Sequence, residues 1–168
     1  IAAGEVVERP SSVVKELVEN AIDAKATAVT VEIKEGGISF IRITDNGCGI
    51  EKKQVPIAFL RHSTSKIRSV EDLLSIHSLG FRGEALSSIA AVAQVELITK
   101  TYEELTGTRY VIEGSKEIEN EEIGAPEGTT FIVRNLFYNV PARRKFLKTA
   151  QTEAGYISDL MELSLIHI

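Results

Sequence analysis

The first part of the chain restricts the fold most strongly, because it places one helix directly before two strands that a glycine turn joins. The sequence Pro10-Ser11-Ser12 predicts a helix start with serine at the cap, and the helix should run to about residue 24. Two β-rich runs, 28–34 and 38–44, flank the dipeptide Gly36-Gly37, which is typical of a hairpin. The chain is therefore expected to begin with a helix and a hairpin.

The rest of the chain combines helices with hairpin-like strands, and no internal repeat or low-complexity linker is visible. We predict helices over 53–60, 70–76, 84–92, 142–148 and 152–163, and strands over 95–101, 108–113 and 129–134. Helices lie mostly early, with strands between and after them, which predicts an α+β sandwich with one sheet.

The composition excludes several classes of protein. With 168 residues, of which 43% are hydrophobic, the chain suits one globular domain with a real core. A formal net charge of −5 argues against strong non-specific binding of DNA. The single cysteine, Cys48, rules out a disulfide framework and a cysteine-rich zinc site. No apolar run could span a membrane and no signal peptide is visible, so we expect an intracellular protein.

The first helix carries a carboxylate and an amide one turn apart. At about 100° per residue, Glu16, Asn20 and Asp23 fall within about 60° of one another, at the border of the apolar face. A carboxylate at such a border can be partly desolvated and act as a base. An asparagine oxygen can ligate Mg²⁺, which prefers hard oxygen ligands. The alternative is that Glu16 and Asn20 are ordinary surface residues.

The second strand ends in Asp45, which alternation places on the same face as Ile41 and Ile43. A buried carboxylate needs a donor, and either the exocyclic amine of adenine or a backbone amide can supply one. Gly47 and Gly49 follow, and they permit a positive φ and a close approach of the backbone to a flat ring. The alternative is an ordinary Asp-Asn-Gly turn.

The stretch Gly80-Phe81-Arg82-Gly83-Glu84-Ala85-Leu86 is a glycine-bracketed loop that opens a helix. Glycines leave room where backbone N–H groups approach a ligand, and a helix N-terminus favours negative charge, so the stretch suits a phosphate. It is neither a Walker loop, since no Gly-Lys-Ser/Thr follows, nor a dinucleotide fingerprint, since no strand leads directly into it. The alternative is a glycine-capped helix start.

Three further segments offer polar groups. The run Arg61-His62-Ser63-Thr64-Ser65-Lys66 could close over phosphates as a lid, or could be a solvated loop. Alternation along 129–134 makes Thr129 rather than Thr130 the inward hydroxyl, because Arg134 prefers water. The basic helix 142–148 could contact DNA phosphates, although a solvated face is the favoured interpretation.

Together these segments supply a base, a metal ligand, a purine reader and a phosphate cradle, which are the parts of an ATP site. They resemble the nucleotide-binding motifs of the GHKL superfamily, which contains gyrase-type topoisomerases, Hsp90-type chaperones, sensor histidine kinases and the MutL mismatch-repair proteins. Within it the resemblance to MutL is close over nearly the whole chain. Residues 1–10, 80–86 and 137–147 look like three MutL motifs, and the other branches lack the first and third.

The resemblance implies a Bergerat-type fold, a two-layer sandwich whose mixed, mostly antiparallel sheet carries its helices on one face and holds ATP. It implies Glu16 as the base that activates water, Asn20 as the Mg²⁺ ligand and Asp45 as the adenine reader. Lid contacts are implied for Thr64, Ser65 and Lys66, and phosphate contacts for 80–86. ATP and Mg²⁺ are therefore the expected cofactors of an ATPase.

The resemblance also implies a switch in DNA mismatch repair. Its expected partners are a mismatch-recognition protein, a downstream nuclease or helicase, weakly bound DNA and a second copy of the chain, but no membrane. The expected location is a bacterial-type cytoplasm, with association to the nucleoid during repair. The alternatives are an ATP-regulated interaction domain in which hydrolysis is incidental, and a gyrase, chaperone or kinase relative.

We expect residues 1–162 to form the ATPase domain, incomplete at its N-terminus, and 163–168 to be a non-native tail. The subdomain that follows in the family supplies a lysine that contacts phosphate, and we expect it to be absent here. Because charge stabilisation is often the largest catalytic effect, the 168 residues alone should hydrolyse ATP hardly at all.

Overall fold

The computed structural model describes residues 7–60 and 85–167, with side chains described up to residue 162. Helix α1 spans Pro10–Asp23, close to the predicted range. Its N-cap is Arg9, whose side chain makes no capping hydrogen bond, so the predicted serine cap is wrong. Pro10 occupies the first turn, where its missing N–H costs nothing and its fixed φ suits a helix, and the helix therefore begins before either serine.

The described strands form one six-stranded sheet in the order β1-β2-β6-β3-β4-β5. They are β1 (Val29–Lys34), β2 (Phe40–Asp45), β3 (Gln94–Lys100), β4 (Gly107–Glu113), β5 (Lys116–Ile123) and β6 (Gly128–Arg134). Every neighbouring pair is antiparallel. The hairpin of β1 and β2 is confirmed, with Gly36 and Gly37 at positive φ in the turn.

Strand β5 lies at an edge of the sheet and is missing from the sequence prediction. Its sequence KEIENEEI is almost entirely exposed and rich in glutamate, which strands disfavour. The strand forms because Gly114 and Ser115, both at positive φ, turn the chain back onto β4. Pairing with β4 then supplies the backbone hydrogen bonds that the side chains do not predict.

Four more helices lie within the described residues, namely α2 (Val55–Ala58), α3 (Ala85–Val92), α4 (Pro141–Lys145) and α5 (Ala150–His167). The helix predicted over 53–60 is divided, since a 3₁₀ turn at Lys52–Gln54 precedes α2. The helix predicted over 70–76 lies outside the described residues. Among the helices that are described, none is long and apolar enough to cross a membrane.

The core lies between one face of the sheet and the helices α1 and α3. The sheet contributes Ile41, Ile43, Val95, Leu97, Phe131 and Val133, and the two helices contribute Val13, Val14, Leu17, Leu86 and Ile89. Each such side chain stabilises the fold by about 1.5–3 kcal/mol when fully buried. The α+β sandwich with helices on one face of the sheet is therefore confirmed.

Candidate functional site

A row of polar residues crosses this inner face of the sheet at one end of its central strands. Asp45 on β2 pairs with Thr129 on β6, which in turn pairs with Thr99 on β3. Thr108 on β4 pairs with Thr99 and continues the row. The three threonines are almost completely buried. Polar groups interrupt an apolar surface here, and such groups are stable only where they find partners.

A pocket opens at the Asp45 end of the row. Its lining consists of Asn20, Ala24, Asp45, Gly49, Ile50, Thr129 and Phe131. Helix α1 and the residue after it, strand β2 with its following loop, and strand β6 each contribute to this lining. The structure thus brings together four residues that the sequence pointed to, Asn20, Asp45, Gly49 and Thr129.

Asn20 is a buried polar residue of the pocket. Its side chain is 9% exposed, and its Oδ1 atom is buried with no hydrogen-bond partner among the described residues. A buried polar atom without a partner costs roughly 1–3 kcal/mol. The surface alternative is therefore wrong for Asn20, and a ligand that supplied a partner would offset this cost.

Glu16 lies one turn before Asn20 on α1 and is half-buried. Its neighbours Val13 and Leu17 are buried, so the predicted position of Glu16 at the border of the apolar face is confirmed. Glu16 does not line the pocket itself. Side chains four residues apart on a helix lie about 5–6 Å from each other at Cβ, so Glu16 and Asn20 occupy neighbouring positions on one side of α1.

Asp45 points inward, as alternation predicted. Its Oδ1 atom accepts a hydrogen bond from the Gly47 amide at 2.8 Å. Burial raises the pKa of Asp45 above its ordinary value, and the backbone N–H groups of Gly47 and Thr129 oppose that rise. An additional donor in the pocket would stabilise the carboxylate further.

Asn46, the neighbour of Asp45, has a structural role. Its Oδ1 atom accepts hydrogen bonds from the amides of Thr27 and Ala28 at 2.8 and 2.9 Å. Its Nδ2 group donates to the Thr27 hydroxyl at 2.9 Å. These bonds fix the loop after β2 to the start of β1, and so fix the direction in which Asp45 leaves the strand.

The two glycines of this loop are required for different reasons. Gly49 has a φ of +74°, and a Cβ atom there would overlap the carbonyl oxygen of Lys100. Gly47 does not have a positive φ, so that part of its predicted role is wrong. A Cβ atom on Gly47 would lie 2.7 Å from the carbonyl oxygen of Ala24. The absence of side chains lets the loop close against both α1 and β3.

Thr99 is part of the site although sequence reasoning missed it. Its hydroxyl accepts a hydrogen bond from the Ile50 amide at 2.9 Å and lies 2.9 Å from the hydroxyl of Thr129. The only local signal is a threonine at an inward position of β3, after Val95 and Leu97. An inward threonine on β3 can be assigned to the site only once the register of β3 against β6 shows that it lies opposite Thr129.

Several predicted residues lie outside the described part of the chain. They are the lid residues Thr64, Ser65 and Lys66 and the loop residues Gly80, Phe81, Arg82, Gly83 and Glu84. Ala85 and Leu86 are described and are buried in the first turn of α3. Neither of these two lines the pocket.

The basic helix α4 buries none of its residues, in agreement with the solvated interpretation. Arg143 is an exception among its cations, because its guanidinium donates a hydrogen bond to the carbonyl oxygen of Val7 and lies over the ring of Phe137. This arginine therefore ties the segment just before α1 to α4.

A protein family accounts for this arrangement. Residues 8–131 match the model of the histidine kinase-, DNA gyrase B- and HSP90-like ATPases. The chain belongs to this ATPase family. The matched range holds Asn20, Asp45, Gly49 and Thr129, so the four predicted pocket residues lie inside the family's domain.

Within the ATPase family, the chain is similar to DNA mismatch repair proteins MutL. It is 83% identical to MutL of Agathobacter rectalis over 168 residues, which is 99% of this chain and 26% of that protein. It is 58% identical to MutL of Acidobacterium capsulatum over 161 residues, which is 96% of this chain and 24% of that protein. The chain thus spans about a quarter of the length of these relatives. The predicted resemblance to MutL is confirmed, which favours MutL over the gyrase, chaperone and kinase branches.

Solved structures also show the similarity to MutL proteins. An Aquifex aeolicus MutL ATPase domain complexed with ADP has a TM-score of 0.74 and 37% identity, over 93% of this chain and 54% of that chain. The N-terminal domain of a DNA repair protein has a TM-score of 0.77 and 30% identity, over 95% of this chain and 45% of that chain. The sheet and helices described above are therefore those of MutL-type ATPase domains.

Proposed function

We propose that this chain is the nucleotide-binding module of a MutL-type DNA mismatch repair protein, in which ATP binding and slow hydrolysis act as a switch. The observation that carries the proposal is the pocket where two polar groups line the same cavity: a buried amide oxygen without a partner among residues 7–60 and 85–162, and a desolvated carboxylate. A ligand with hydrogen-bond donors and a hard cation would satisfy both groups. A similar MutL ATPase domain is complexed with ADP, which supports an adenine nucleotide as that ligand.

The adenine end of the nucleotide is assigned to Asp45 and its neighbours. Asp45 would accept a hydrogen bond from the exocyclic amine of adenine, which offsets the cost of keeping its carboxylate desolvated. Gly49 brings backbone rather than side chain to the pocket, and Ile50 and Phe131 add apolar surface. The flat face of an adenine ring would pack against this apolar surface, with its amine directed at Asp45.

The Mg²⁺ ion is assigned to Asn20. Its Oδ1 atom is a hard oxygen, buried and without a partner among the described residues, so it fits the ion. No cluster of three or more His, Cys, Asp or Glu side chains that could hold a metal occurs in the described part of the chain. An ion held by Asn20 would therefore take few ligands from the described residues, which suits Mg²⁺, an ion that usually keeps several waters. When bound, the ion would neutralise charge on the phosphates.

Glu16 is assigned the role of general base. It lies one turn from Asn20, so it can accept a proton from a water molecule near the phosphates that Asn20 helps to place. In the intact protein, Glu16→Ala should keep ATP binding and reduce hydrolysis by about 10²-fold or more. ATP titration and steady-state phosphate release measure the two effects.

Glu19→Ala is the matched control for Glu16. Glu19 lies on the same helix and pairs with Lys15 at 3.4 Å. Its removal should leave the hydrolysis rate within about twofold, because Glu19 does not line the pocket and a partly exposed pair of this kind contributes about 1 kcal/mol or less to stability. Hydrolysis at the wild-type rate in Glu16→Ala would exclude Glu16 as the base.

In the intact protein, ATP would favour a state that binds a second copy and the repair factors, and hydrolysis would reset it. The partners would be a mismatch-recognition protein, a nuclease or helicase and, weakly, DNA, in the cytoplasm of a bacterium. A related possibility is that hydrolysis is incidental and binding alone regulates these interactions. Complementation of mismatch repair in cells by Glu16→Ala separates the two, because full repair would show that hydrolysis is dispensable.

A further inference from the structure

Thr99 lies behind the pocket and does not line it. Its side chain is 1% exposed, so a ligand in the pocket does not touch it. The hydroxyl nevertheless meets three polar groups, each at 2.9 Å, which are the Ile50 amide, the Gly128 carbonyl oxygen and the Thr129 hydroxyl. Three partners on one buried hydroxyl is the full capacity of that group.

The direction of each hydrogen bond follows from the count of protons and lone pairs. A threonine hydroxyl has one proton and two lone pairs. The Ile50 amide can only donate, so it takes one lone pair of Thr99. The Gly128 carbonyl can only accept, so it takes the proton. The remaining lone pair of Thr99 therefore accepts the proton of Thr129.

This assignment leaves Thr129 with lone pairs but no proton for the pocket. Its neighbour across the strands is Asp45, whose carboxylate is also an acceptor. Both polar groups at this point of the lining then accept and neither donates. Adenine carries an amine donor at its six position, where guanine carries a carbonyl acceptor.

Thr99 also fixes the loop that borders the pocket. The bond from Ile50 joins residues 49 positions apart in the chain and pins the end of the loop to β3. Next to it, Gly49 packs against the carbonyl of Lys100, the residue after Thr99. The bond to Gly128 holds β6, which carries Thr129, at the same place.

We propose that Thr99 is a positioning residue that sets the preference of this pocket for adenine over guanine. This inference rests on the proposed nucleotide-binding function. It adds to the residues that determine specificity one that does not contact the base. Thr99 turns the Thr129 proton away from the ligand and holds Ile50 against the sheet. Without its hydroxyl, the Thr129 proton can turn into the pocket and donate to the carbonyl of guanine.

Titration calorimetry of the intact protein with Mg²⁺ and ATP, GTP or tripolyphosphate tests this. Thr99→Val has nearly the same shape but no hydroxyl, and it should weaken ATP about tenfold and GTP much less. The ratio of the two affinities should therefore narrow several-fold. Tripolyphosphate has no base, so its affinity should stay unchanged. Thr99→Ser keeps the hydroxyl and should restore the ratio.

Thr108→Val is the matched control, because Thr108 is equally buried on the same row, one strand further from the pocket, and does not line it. It should leave the ratio unchanged. Equal losses of ATP and GTP in Thr99→Val, an unchanged ATP affinity, or the same narrowing in Thr108→Val would each overturn the proposal.

Further measurements distinguish a folding defect, a failure of the proposed function and a failure of the role of Thr99. If Thr99→Val does not fold, Thr99→Cys supplies a side chain of similar size with a much weaker donor and acceptor, and the same narrowing is expected of it. If the wild-type protein binds no ATP at all, the proposed function is wrong and the role of Thr99 falls with it. Wild-type binding of ATP combined with an unchanged ratio in the Thr99 variants would contradict the role of Thr99 alone.

Discussion

The two faces of one sheet treat polar groups in opposite ways. On the inner face, Thr99 and Thr129 are buried, and the partners of the Thr99 hydroxyl fix the direction of the hydrogen bond between the two. On the outer face, Arg109 donates to Glu96, Glu119 and Glu121 at 2.7 to 2.9 Å, and the last two of these side chains are exposed. A lost partner on the outer face is replaced by another or by water, whereas one lost on the inner face has no substitute.

The carboxylates of the two faces show this difference in their pKa values. Burial raises the pKa of Asp45, and two backbone amides only partly oppose the rise. Burial would also raise the pKa of Glu96, but hydrogen bonds from Arg109 and Arg134 outweigh it, and the pKa is lowered. The outer carboxylate is satisfied by the protein itself, while the inner one stays costly until a ligand arrives. The polar groups of the inner face therefore serve binding, whereas the ion pairs of the outer face add to the stability that the apolar core supplies.

Asn20→Ala should show the largest effect, and it should fall on binding rather than on stability. Removal of an oxygen that contacts a charged ligand costs about 1.5–3 kcal/mol, or roughly 10- to 100-fold in Mg²⁺-dependent nucleotide affinity. Thermal stability without nucleotide should change much less, because the oxygen has no partner to lose among the described residues. Calorimetry with and without Mg²⁺, and thermal melts, measure both.

Asn139→Ala is the control for Asn20→Ala. Asn139 donates to the Ala91 carbonyl at 2.9 Å, and its loss should cost about 1 kcal/mol of stability without changing nucleotide affinity. Unchanged Mg²⁺-dependent affinity in Asn20→Ala would remove Asn20 from the proposed metal site.

Asp45→Asn, like Asn20→Ala, should lower nucleotide affinity without lowering the stability of the nucleotide-free protein. It should weaken ATP about tenfold, and GTP less, because it replaces the charged acceptor by an amide. Stability without nucleotide at neutral pH should be equal or higher. The raised pKa means that the folded state resists charging of Asp45, so the wild type loses stability as pH rises through the folded value.

The pH dependence supplies the check on Asp45. The advantage of Asp45→Asn should vanish as pH falls below 3.8, the ordinary value, where Asp45 is protonated in both the folded and unfolded states. Thermal melts across pH without nucleotide measure it. Equal losses of ATP and GTP would argue that Asp45 is structural.

Arg109→Met should show the smallest effect, and it should fall on stability alone. The network around Arg109 is only partly buried, so its loss should cost about 1 kcal/mol and should shrink in high salt. Glu96 has a lowered pKa, so its share of this stability is complete above its ordinary value of 4.5 and is lost as pH falls through the lower folded value. Nucleotide affinity should not change.

Arg144→Met on the exposed helix α4 is the control for Arg109→Met. It should change neither the free energy of unfolding nor the affinity for ATP. Urea titrations at low and high salt measure the stability, and calorimetry measures ATP binding. A loss of ATP affinity in Arg109→Met would break the division between the two faces.

Local periodicity was enough to predict much of the inner face. Spacing on α1 placed Glu16 at the border of its apolar face, and alternation placed Asp45 and Thr129 inward. The hairpin of β1 and β2 followed from the glycine turn. These predictions succeed because each depends on residues within a few positions of each other, where the backbone repeat alone decides which way a side chain points.

The tertiary structure decided what depends on distant residues. The role of Thr99 requires the register of β3 against β6 and a bond to Ile50, 49 positions away. Strand β5 exists through pairing with β4, against the preference of its own glutamates. That the Asn20 oxygen has no partner within the described part of the chain becomes visible only when its neighbours in space are known. In each case the deciding quantity is which groups from separate segments meet in a place without water, and no local pattern carries that information.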